Sequence, residues 1–391
     1  MASVQVRALR NGLIAAVVTA AAGFGLNALF TTEPVTQARS PSPTVTPAAR
    51  PCRPTFEPLE RTLARGVDGT VLGLSAIAED DVWAVGFTGA TEAASLTSIA
   101  RWNGRIWKPM DGPDTAIVDS LTDVDALSAD DVWASGWSRD YGPARGLLAR
   151  WDGRRWSTIA PPRSPRGITF TGVAAIEQET VWAVGYTGDI DDETEHAVVA
   201  LWDGTSARTV PAPVGTGRSA LLAVDGTDTG EVWAVGYARN APLVLRYDGS
   251  SWQRVLEVDA RGGLTSVSVM GPDEAWAVGR SVLRWDGTAW VDVPGLPSNA
   301  TATAVSGSRP GRAWVVGVAG SAEHARSVIF EASVSQLSKA AAVTVPGAER
   351  LTSVVGVGGL AWAAGYRETE TAIAPLFGRL IGCEQPDANE T

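Results

Sequence analysis

One short phrase recurs seven times along this chain. It first appears as "EDDVWAVG" at residues 79–86, and it returns with small changes as "ADDVWASG", "QETVWAVG", "TGEVWAVG", "PDEAWAVG", "PGRAWVVG" and "GGLAWAAG". The tryptophans at its centre lie 38 to 51 residues apart, at Trp83, Trp133, Trp182, Trp233, Trp276, Trp314 and Trp362. A period of this length is typical of solenoids, propellers and arrays, in which each repeat is one supersecondary unit.

The fifth repeat is the most compact copy and shows the unit most clearly. It runs "LTSVSVMGPDEAWAVGRSVLRWDGTAWVDVPG" from Leu264 to Gly295. The runs "LTSVSV", "AWAVG", "SVLRW" and "AWVDV" predict four strands joined by turns. The "DG" between the last two strands predicts a two-residue hairpin with positive φ at both residues. Because no window has helical periodicity, the sequence predicts an all-β fold, a seven-bladed β-propeller of four-stranded antiparallel blades over residues 52–384.

Apolar residues occupy both sides of the "VWAVG" strand. A strand with one side in water would alternate apolar and polar residues, whereas a strand inside a propeller is covered on both faces by the neighbouring blades. The repeated tryptophans are therefore expected to pack between blades.

The two ends of the repeat region are expected to close the ring. Repeat seven ends after its third strand, and the unassigned segment 52–64 precedes repeat one. In this segment Phe56 corresponds to Trp290 of the fifth repeat, so we expect it to supply the missing fourth strand. Cys52 and Cys383 flank the two strands that would pair, which favours a disulfide over two unrelated thiols.

The first 30 residues differ from the rest of the chain. Arg7 and Arg10 precede nineteen uncharged residues, 12–30, a length that fits either an uncleaved membrane anchor or a cleaved signal peptide. Both predict export, with the propeller outside the cell membrane or secreted. Residues 31–51 predict a disordered Pro/Ser/Thr-rich linker, and residues 385–391 a disordered tail.

Strand connectivity separates two faces of the ring. Short turns join strands one to two and three to four on one face, and longer, variable connections lie on the other, where binding sites are commonly found. An aromatic residue usually follows the repeated "VG" on that face: Phe87, Trp137, Tyr186, Tyr237 and Tyr366. These side chains predict either a platform for a sugar or peptide or caps on the blade cores. Arg139 and Arg145 are further candidates for contacting an acidic or sugar partner.

Chemical motifs are scarce. The loop 187–197 contains six acidic residues or histidines, and its carboxylates at 189–195 could hold calcium, although a solvated acidic loop is the simpler interpretation. The chain has only two histidines, and no GxSxG, HExxH or P-loop motif occurs. A net charge of −11 disfavours nucleic acid as a partner. No cofactor is expected.

The "DVWAVG" strands and "WDGxxW" hairpins resemble those of bacterial propellers grouped with kelch and galactose oxidase central domains. They also resemble photosystem assembly-factor propellers with "WAVG" strands. The likeness covers about residues 65–382 and implies the fold. It does not extend to the copper site of galactose oxidase, which needs histidines and a Tyr–Cys crosslink. The hairpins also resemble sialidase Asp-box turns, which implies a structural role for Asp152, Asp203, Asp248 and Asp286.

These observations lead to two main hypotheses about function, and a largely structural envelope protein without a small ligand is a third possibility. The first is a non-catalytic binding or assembly scaffold at the cell surface, with a protein or carbohydrate partner at the envelope and an N-terminal helix in the membrane. The second is an extracellular carbohydrate-active enzyme, a hydrolase or lyase, with paired carboxylates on the loop face. A deep central pocket with two close carboxylates would favour the enzyme.

Overall fold

The structure is a computed structural model that describes residues 55–59, 69–88, 96–113, 119–138, 143–190, 193–255, 260–320, 325–339, 348–368 and 373–381. All of these residues belong to one compact unit, 51–391. The predicted N-terminal apolar segment, linker, tail and disulfide fall outside the described residues. Within the described residues, no helix has both the length and the apolar character needed to cross a membrane.

Across the described ranges, twenty-eight strands form seven four-stranded antiparallel sheets, as the repeats predict. The first six blades are consecutive in sequence. Blade 1 contains β2 (Thr70–Ala78), β3 (Asp81–Thr88), β4 (Leu96–Trp102) and β5 (Trp107–Pro109). Blade 2 contains β6 (Asp119–Ser128), β7 (Asp131–Ser138), β8 (Arg145–Trp151) and β9 (Trp156–Ile159). Blade 3 contains β10 (Thr169–Glu177), β11 (Thr180–Thr187), β12 (His196–Trp202) and β13 (Ala207–Val210).

Blades 4 to 6 repeat the same order. Blade 4 contains β14 (Ser219–Gly226), β15 (Val232–Ala238), β16 (Ala241–Tyr247) and β17 (Trp252–Arg254). Blade 5 contains β18 (Leu264–Gly271), β19 (Glu274–Gly279), β20 (Val282–Trp285) and β21 (Trp290–Asp292). Blade 6 contains β22 (Ala300–Arg309), β23 (Arg312–Ala319), β24 (Arg326–Ser333) and β25 (Leu337–Lys339).

Blade 7 joins the two ends of the described chain. Its first three strands are β26 (Ala348–Val357), β27 (Leu360–Glu368) and β28 (Ile373–Ile381), and its fourth is β1 (Thr55–Pro58). The register places Phe56 opposite Leu380. The predicted closing strand is therefore confirmed at Thr55–Pro58.

The repeated tryptophans pack between blades, as predicted. Trp83 of blade 1 is fully buried and lies 5.6 Å from the ring of Trp151 and 5.8 Å from that of Trp156, both in blade 2. Trp362 of blade 7 packs in the same way against Trp102 of blade 1, with ring centroids 5.0 Å apart. Each second strand thus fills the gap before the outer strands of the next blade, and this packing continues across the closure.

The glycine at the end of each "VWAVG" motif is required for a steric reason. A Cβ built on Gly86 would overlap the carbonyl oxygen of Thr70 on the innermost strand of the same blade. The equivalent glycines meet the carbonyl oxygen of the inner strand in the same way: Gly136, Gly185, Gly236, Gly279, Gly317 and Gly365. Only a residue without a side chain lets the two strands approach so closely.

The "WDG" hairpins differ from the two-residue turn predicted for them. Trp151 pairs with Trp156, so the loop between them has four residues. Gly153 has φ +87°, but Asp152 does not take a positive φ. Instead, Oδ1 of Asp152 accepts hydrogen bonds of 2.9 Å from the amides of Arg154 and Arg155. The aspartate side chain organises the longer loop, which fits the structural role implied by the resemblance.

Candidate binding face

The two faces of the ring differ in how they use their polar groups. On the face with the short connections, here called the turn face, cross-strand ion pairs engage the arginines near the strand ends. The nitrogen–oxygen distances are 2.7 Å for Arg101–Asp81, 2.8 Å for Arg150–Asp131, 2.6 Å for Arg246–Glu231 and 2.9 Å for Arg312–Glu331. The "DG" and "NG" turns likewise use their Asp or Asn side chains internally. The arginines at the strand ends of the turn face are therefore paired. Among the described residues of its hairpin loops, Arg105, Arg154 and Arg155 are exposed and form no ion pair.

The opposite face, here called the loop face, carries the connections from second to third strands and between blades. These are long at 160–168 but, contrary to the prediction, only two residues long at 239–240 and 280–281. This face contains a polar network between blades 3 and 4. Glu195 precedes β12 and has a fully buried side chain. Its Oε1 accepts a 2.7 Å hydrogen bond from Nε of Arg218, in the connection between the blades, and a 3.0 Å bond from the hydroxyl of Tyr237 on β15. Nη1 of Arg218 also lies 2.8 Å from Oε1 of the exposed Glu193.

Electrostatics keep this network in one protonation state. Burial alone would raise the pKa of Glu195, but the hydrogen bonds from Arg218 and Tyr237 outweigh it and lower the pKa. Burial and the hydrogen bond to Glu195 raise the pKa of Tyr237 to about 12. At neutral pH the carboxylate is charged and the phenol is a donor, so the network is a fixed element of the loop face.

A pocket of about 250 Å³ opens beside the network. It is lined by Arg166, Glu193, Thr194, Glu195, His196, Gly217 and Arg218. Nη2 of Arg166 donates a 2.6 Å hydrogen bond to the carbonyl of Thr194, which fixes one wall. Most pockets for small molecules are larger, from about 300 to 1,000 Å³, so this volume suits a single side chain.

A second cavity, of about 410 Å³, lies in the central channel and is lined by the innermost strands of all seven blades. Threonines on these strands join neighbouring blades because each hydroxyl donates to a carbonyl of the next inner strand. Examples are Thr171 to Leu221, at 2.7 Å, and Thr352 to Val71, at 2.6 Å. The second example closes the ring. These bonds satisfy edge carbonyls that have no strand partner.

Three carboxylates in the channel also join neighbouring blades, but as acceptors of hydrogen bonds from the next inner strand, whereas the threonines are donors to it. Asp123, Asp125 and Asp225 accept amide hydrogen bonds from the next inner strand, at 3.0 Å from Val173, 2.8 Å from Ala175 and 2.6 Å from Val269.

The same carboxylates have unusual pKa values. They are enclosed by protein and contact the channel cavity. Burial is the main cause of the shift in all three. It raises the pKa of Asp123 to about 8 and the pKa of Asp225 to about 7, and it also raises the pKa of Asp125.

Comparison with known structures supports the fold. At 14% identity, a structure described as "YCF48 bound to D1 peptide" matches with TM-score 0.55, over 87% of this chain and 99% of that one. A structure of U3-55K matches at 12% identity with TM-score 0.56, over 83% of this chain and 98% of that one. YCF48 from Cyanidioschyzon merolae matches at 14% identity with TM-score 0.53, over 84% of this chain and 98% of that one.

These similarities show a seven-bladed propeller and, at such low identity, the fold alone. No protein-family model matches the chain. No curated protein is detectably similar to it in sequence. The resemblance to kelch and galactose oxidase propellers stays a prediction.

The predicted aromatic positions recur at one place in the blades. Each lies at the loop-face end of a second strand and is half-buried: Phe87, Trp137, Tyr186, Tyr237 and Tyr366. None belongs to the clusters of buried side chains between blades. Tyr237 takes part in the polar network, and a binding role for the others stays a prediction. Arg145 is exposed at the start of β8, and Arg139 lies outside the described residues.

The predicted calcium loop is only partly described. Asp191 and Asp192 fall outside the described residues. Glu193 and Glu195 both contact Arg218, so an arginine takes the place beside them that a cation would need. Within the ranges that the structure describes, no group of three or more His, Cys, Asp or Glu side chains is arranged to hold a metal ion.

The network and the channel carboxylates were not expected from the sequence. The signal for the carboxylates is the segment "LTDVDA", in which polar residues interrupt an apolar inner strand. The Glu195–Arg218–Tyr237 network has no local signal, because its members come from three separate connections or strands. Only the spatial order of blades 3 and 4 brings them together.

Proposed function

We propose that this protein is a non-catalytic binding scaffold that holds a protein partner on its loop face. One observation carries the proposal: the buried Glu195, held by Arg218 and Tyr237, forms a fixed floor beside an open pocket on the loop face. A preorganised surface of this kind lowers the entropy cost of binding. The pocket has the volume of one anchoring side chain, as at the centre of protein interfaces.

The structural neighbours are consistent with such a role. One is a YCF48 structure in complex with a D1 peptide, and another is part of a mitotic checkpoint complex, at 10% identity and with TM-score 0.55. Those structures contain a peptide or form part of a protein complex. We extend this to the present chain as a partner of protein nature. Carbohydrate at the cell envelope stays the alternative partner.

Site-specific photocrosslinking tests which face binds. A benzoylphenylalanine at Asn240, exposed on the loop face, should crosslink to a partner in the cells that make the protein. The same residue at Arg154, exposed on the turn face, is the matched control and should not. Crosslinking of equal yield from both positions, or from Arg154 alone, would contradict the proposal.

Export and membrane anchoring form a separate part of the proposal, supported by the apolar segment 12–30 and the linker 31–51. Protease added to intact cells should degrade the propeller, and carbonate washing should leave the protein with the membrane unless the segment is cleaved. Full protection in intact cells that becomes digestion only after lysis would contradict export.

The channel carboxylates bear on the enzyme alternative, because raised pKa values occur at catalytic sites. The oxygens of Asp123 and Asp225 already accept backbone hydrogen bonds within and between blades, which accounts for them structurally. A panel of chromogenic glycosides distinguishes the two roles. Turnover that disappears in Asp123→Asn, with an unchanged melting temperature, would favour the enzyme.

A further inference from the structure

We propose that an arc of arginines on the loop face binds a short acidic segment of the partner. The arc comprises five residues in the connections of blades 2 to 5: Arg166, Arg218, Arg239, Arg261 and Arg280. This inference rests on the proposed function, because it names the chemistry of the segment that the loop face would hold. It extends the binding surface beyond the pocket beside Glu195.

The first part of the arc lies between blades 3 and 4. The amide of Arg239, between β15 and β16, donates a 2.8 Å hydrogen bond to the carbonyl of Arg218. The guanidinium of Arg239 lies beside Gly217, where an added Cβ would be 3.5 Å from its Nε. Arg166 and Arg218 line the same pocket. Three guanidinium groups therefore surround one small area.

The second part of the arc continues into blade 5. Nη2 of Arg261 donates a 3.0 Å hydrogen bond to the carbonyl of Arg280, and the amide of Arg261 donates to the hydroxyl of Ser281 at 3.1 Å. Arg280 takes the position that an aromatic residue has in most other blades, and both arginines are exposed. The hydrogen bonds hold this pair in a fixed arrangement at the surface.

Most arginines of the arc differ in their partners from the arginines at the strand ends of the turn face. Turn-face arginines such as Arg101 and Arg246 are paired with a carboxylate across the strand. Within the described residues, Arg166, Arg239, Arg261 and Arg280 form no ion pair, and Arg218 is the exception. The guanidinium groups of these four arginines can therefore pair with the carboxylates of a partner.

The backbone at Arg239 supports a role for its side chain. Its φ of +57° lies in the left-handed region, where glycine and asparagine are the usual residues. An arginine there destabilises the fold relative to glycine, and such positions are common at binding sites. Glu193, with φ +55°, is the other described non-glycine residue in this region, and it lies on the same face.

The size and setting of the arc favour a short acidic protein segment over a long polyanion. The arc spans neighbouring blades only, so it can contact a few consecutive acidic residues but not the length of an extended polyanion. Planar guanidinium groups bind carboxylates through two hydrogen bonds. A stretch of a few Asp or Glu residues matches this surface.

Fluorescence polarisation with labelled hexaglutamate and hexaglutamine, using the full chain, tests the proposal. Hexaglutamate should bind and hexaglutamine should not, and raising NaCl from about 20 to about 150 mM should weaken binding through charge screening. Arg239→Gly should weaken hexaglutamate binding about fivefold, as expected for the loss of one surface ion pair. Its melting temperature should stay the same or rise, which separates binding from folding.

Glu193→Gly is the matched control at the second left-handed position. It removes a carboxylate that occupies Nη1 of Arg218, so hexaglutamate should bind more tightly. Equal hexaglutamate affinity for Arg239→Gly and the native chain would overturn the proposal, as would failure of hexaglutamate to bind. Tighter binding of a heparin tetrasaccharide than of hexaglutamate would assign the arc to acidic glycans and overturn it too. In each case, crosslinking confined to Asn240 would leave the proposed function intact.

Discussion

Phe56 lies opposite Leu380 across the closing pair of strands, with its ring against the backbone of Gly378. A Cβ added to Gly378 would overlap the ring of Phe56. The first described strand thus packs against the last because the ring of Phe56 occupies the space that a side chain at Gly378 would need.

This fit predicts a non-additive pair of substitutions. Phe56→Ala should lower the free energy of unfolding by about 2 kcal/mol, because a half-buried phenylalanine contributes less than a fully buried one. Gly378→Ala should also destabilise the protein, by forcing the ring away. In the double variant the new methyl group has room, so the total loss measured by urea denaturation should be smaller than the sum. Additive losses would mean that the two residues do not meet.

The buried tryptophans predict a large and position-dependent cost of truncation. Trp276 is fully buried among residues of blade 6, including Val315 and Phe330. Trp276→Ala should lower the free energy of unfolding by about 3–5 kcal/mol. Val291, which is 47% exposed, is the control, and Val291→Ala should change it by less than about 0.5 kcal/mol. A loss below about 1 kcal/mol at Trp276 would contradict packing between blades.

The hairpin aspartates predict a difference between two substitutions at one residue. Oδ1 of Asp286 accepts 2.9 Å hydrogen bonds from the amides of Thr288 and Ala289. Asp286→Ala removes this acceptor and should lower the stability measured by thermal or urea unfolding. Asp286→Asn should cost much less, because Asn103 makes the same two bonds in blade 1. Equal losses would show that the oxygen is not what orders the loop.

Much of the fold could be predicted from the sequence because the information is repeated. Seven copies of the Trp-containing strand predict the number of blades, and the unmatched ends predict the closure. The type of the "WDG" turn could not be predicted, because a dipeptide does not reveal that Asp152 accepts hydrogen bonds from residues two and three positions ahead. The local pattern is compatible with more than one loop length.

The candidate site was less predictable than the fold. The choice of the loop face follows from connectivity, and Tyr237 was among the expected residues. Its partners Glu195 and Arg218 were not, because they come from different connections and meet only in three dimensions. The sequence placed Glu195 in an acidic loop that was interpreted as solvated, with calcium binding as the weaker alternative. The role of a charged loop residue such as Glu195 depends on which side chains lie beside it in the folded protein.

The predicted disulfide has its own test. β1 begins three residues after Cys52, β28 ends two residues before Cys383, and Thr55 pairs with Ile381. If the bond forms, it should stabilise the protein by about 2–5 kcal/mol through its effect on the unfolded chain. Cys383→Ser should then lower the melting temperature of the oxidised protein to that of the reduced one. Identical melting temperatures for oxidised and reduced native protein would contradict the bond.

The channel carboxylates predict how stability varies with pH. The folded pKa values of Asp123 and Asp225, about 8 and about 7, lie above those of an unfolded aspartate, near 3.9. Between the unfolded and the folded pKa values, the folded state binds more protons than the unfolded state. The stability that these protonated aspartates contribute is therefore complete at about pH 4 and is lost as the pH rises through about 7 to 8. Among the described residues that line the channel, Asp123, Asp125 and Asp225 are the ionisable ones.

The melting temperature of the native protein should therefore fall between pH 5 and pH 9, and Asp123→Asn with Asp225→Asn should flatten that fall. Asp286→Asn is the control: hydrogen bonds, first from the amide of Ala289, lower the pKa of Asp286 to about 2. Its contribution is present above the unfolded pKa and disappears only in stronger acid, so this variant should keep the native pH profile from pH 5 to 9. A native profile that rises over this range, or a double variant that keeps the native slope, would show that the channel carboxylates are ionised without cost.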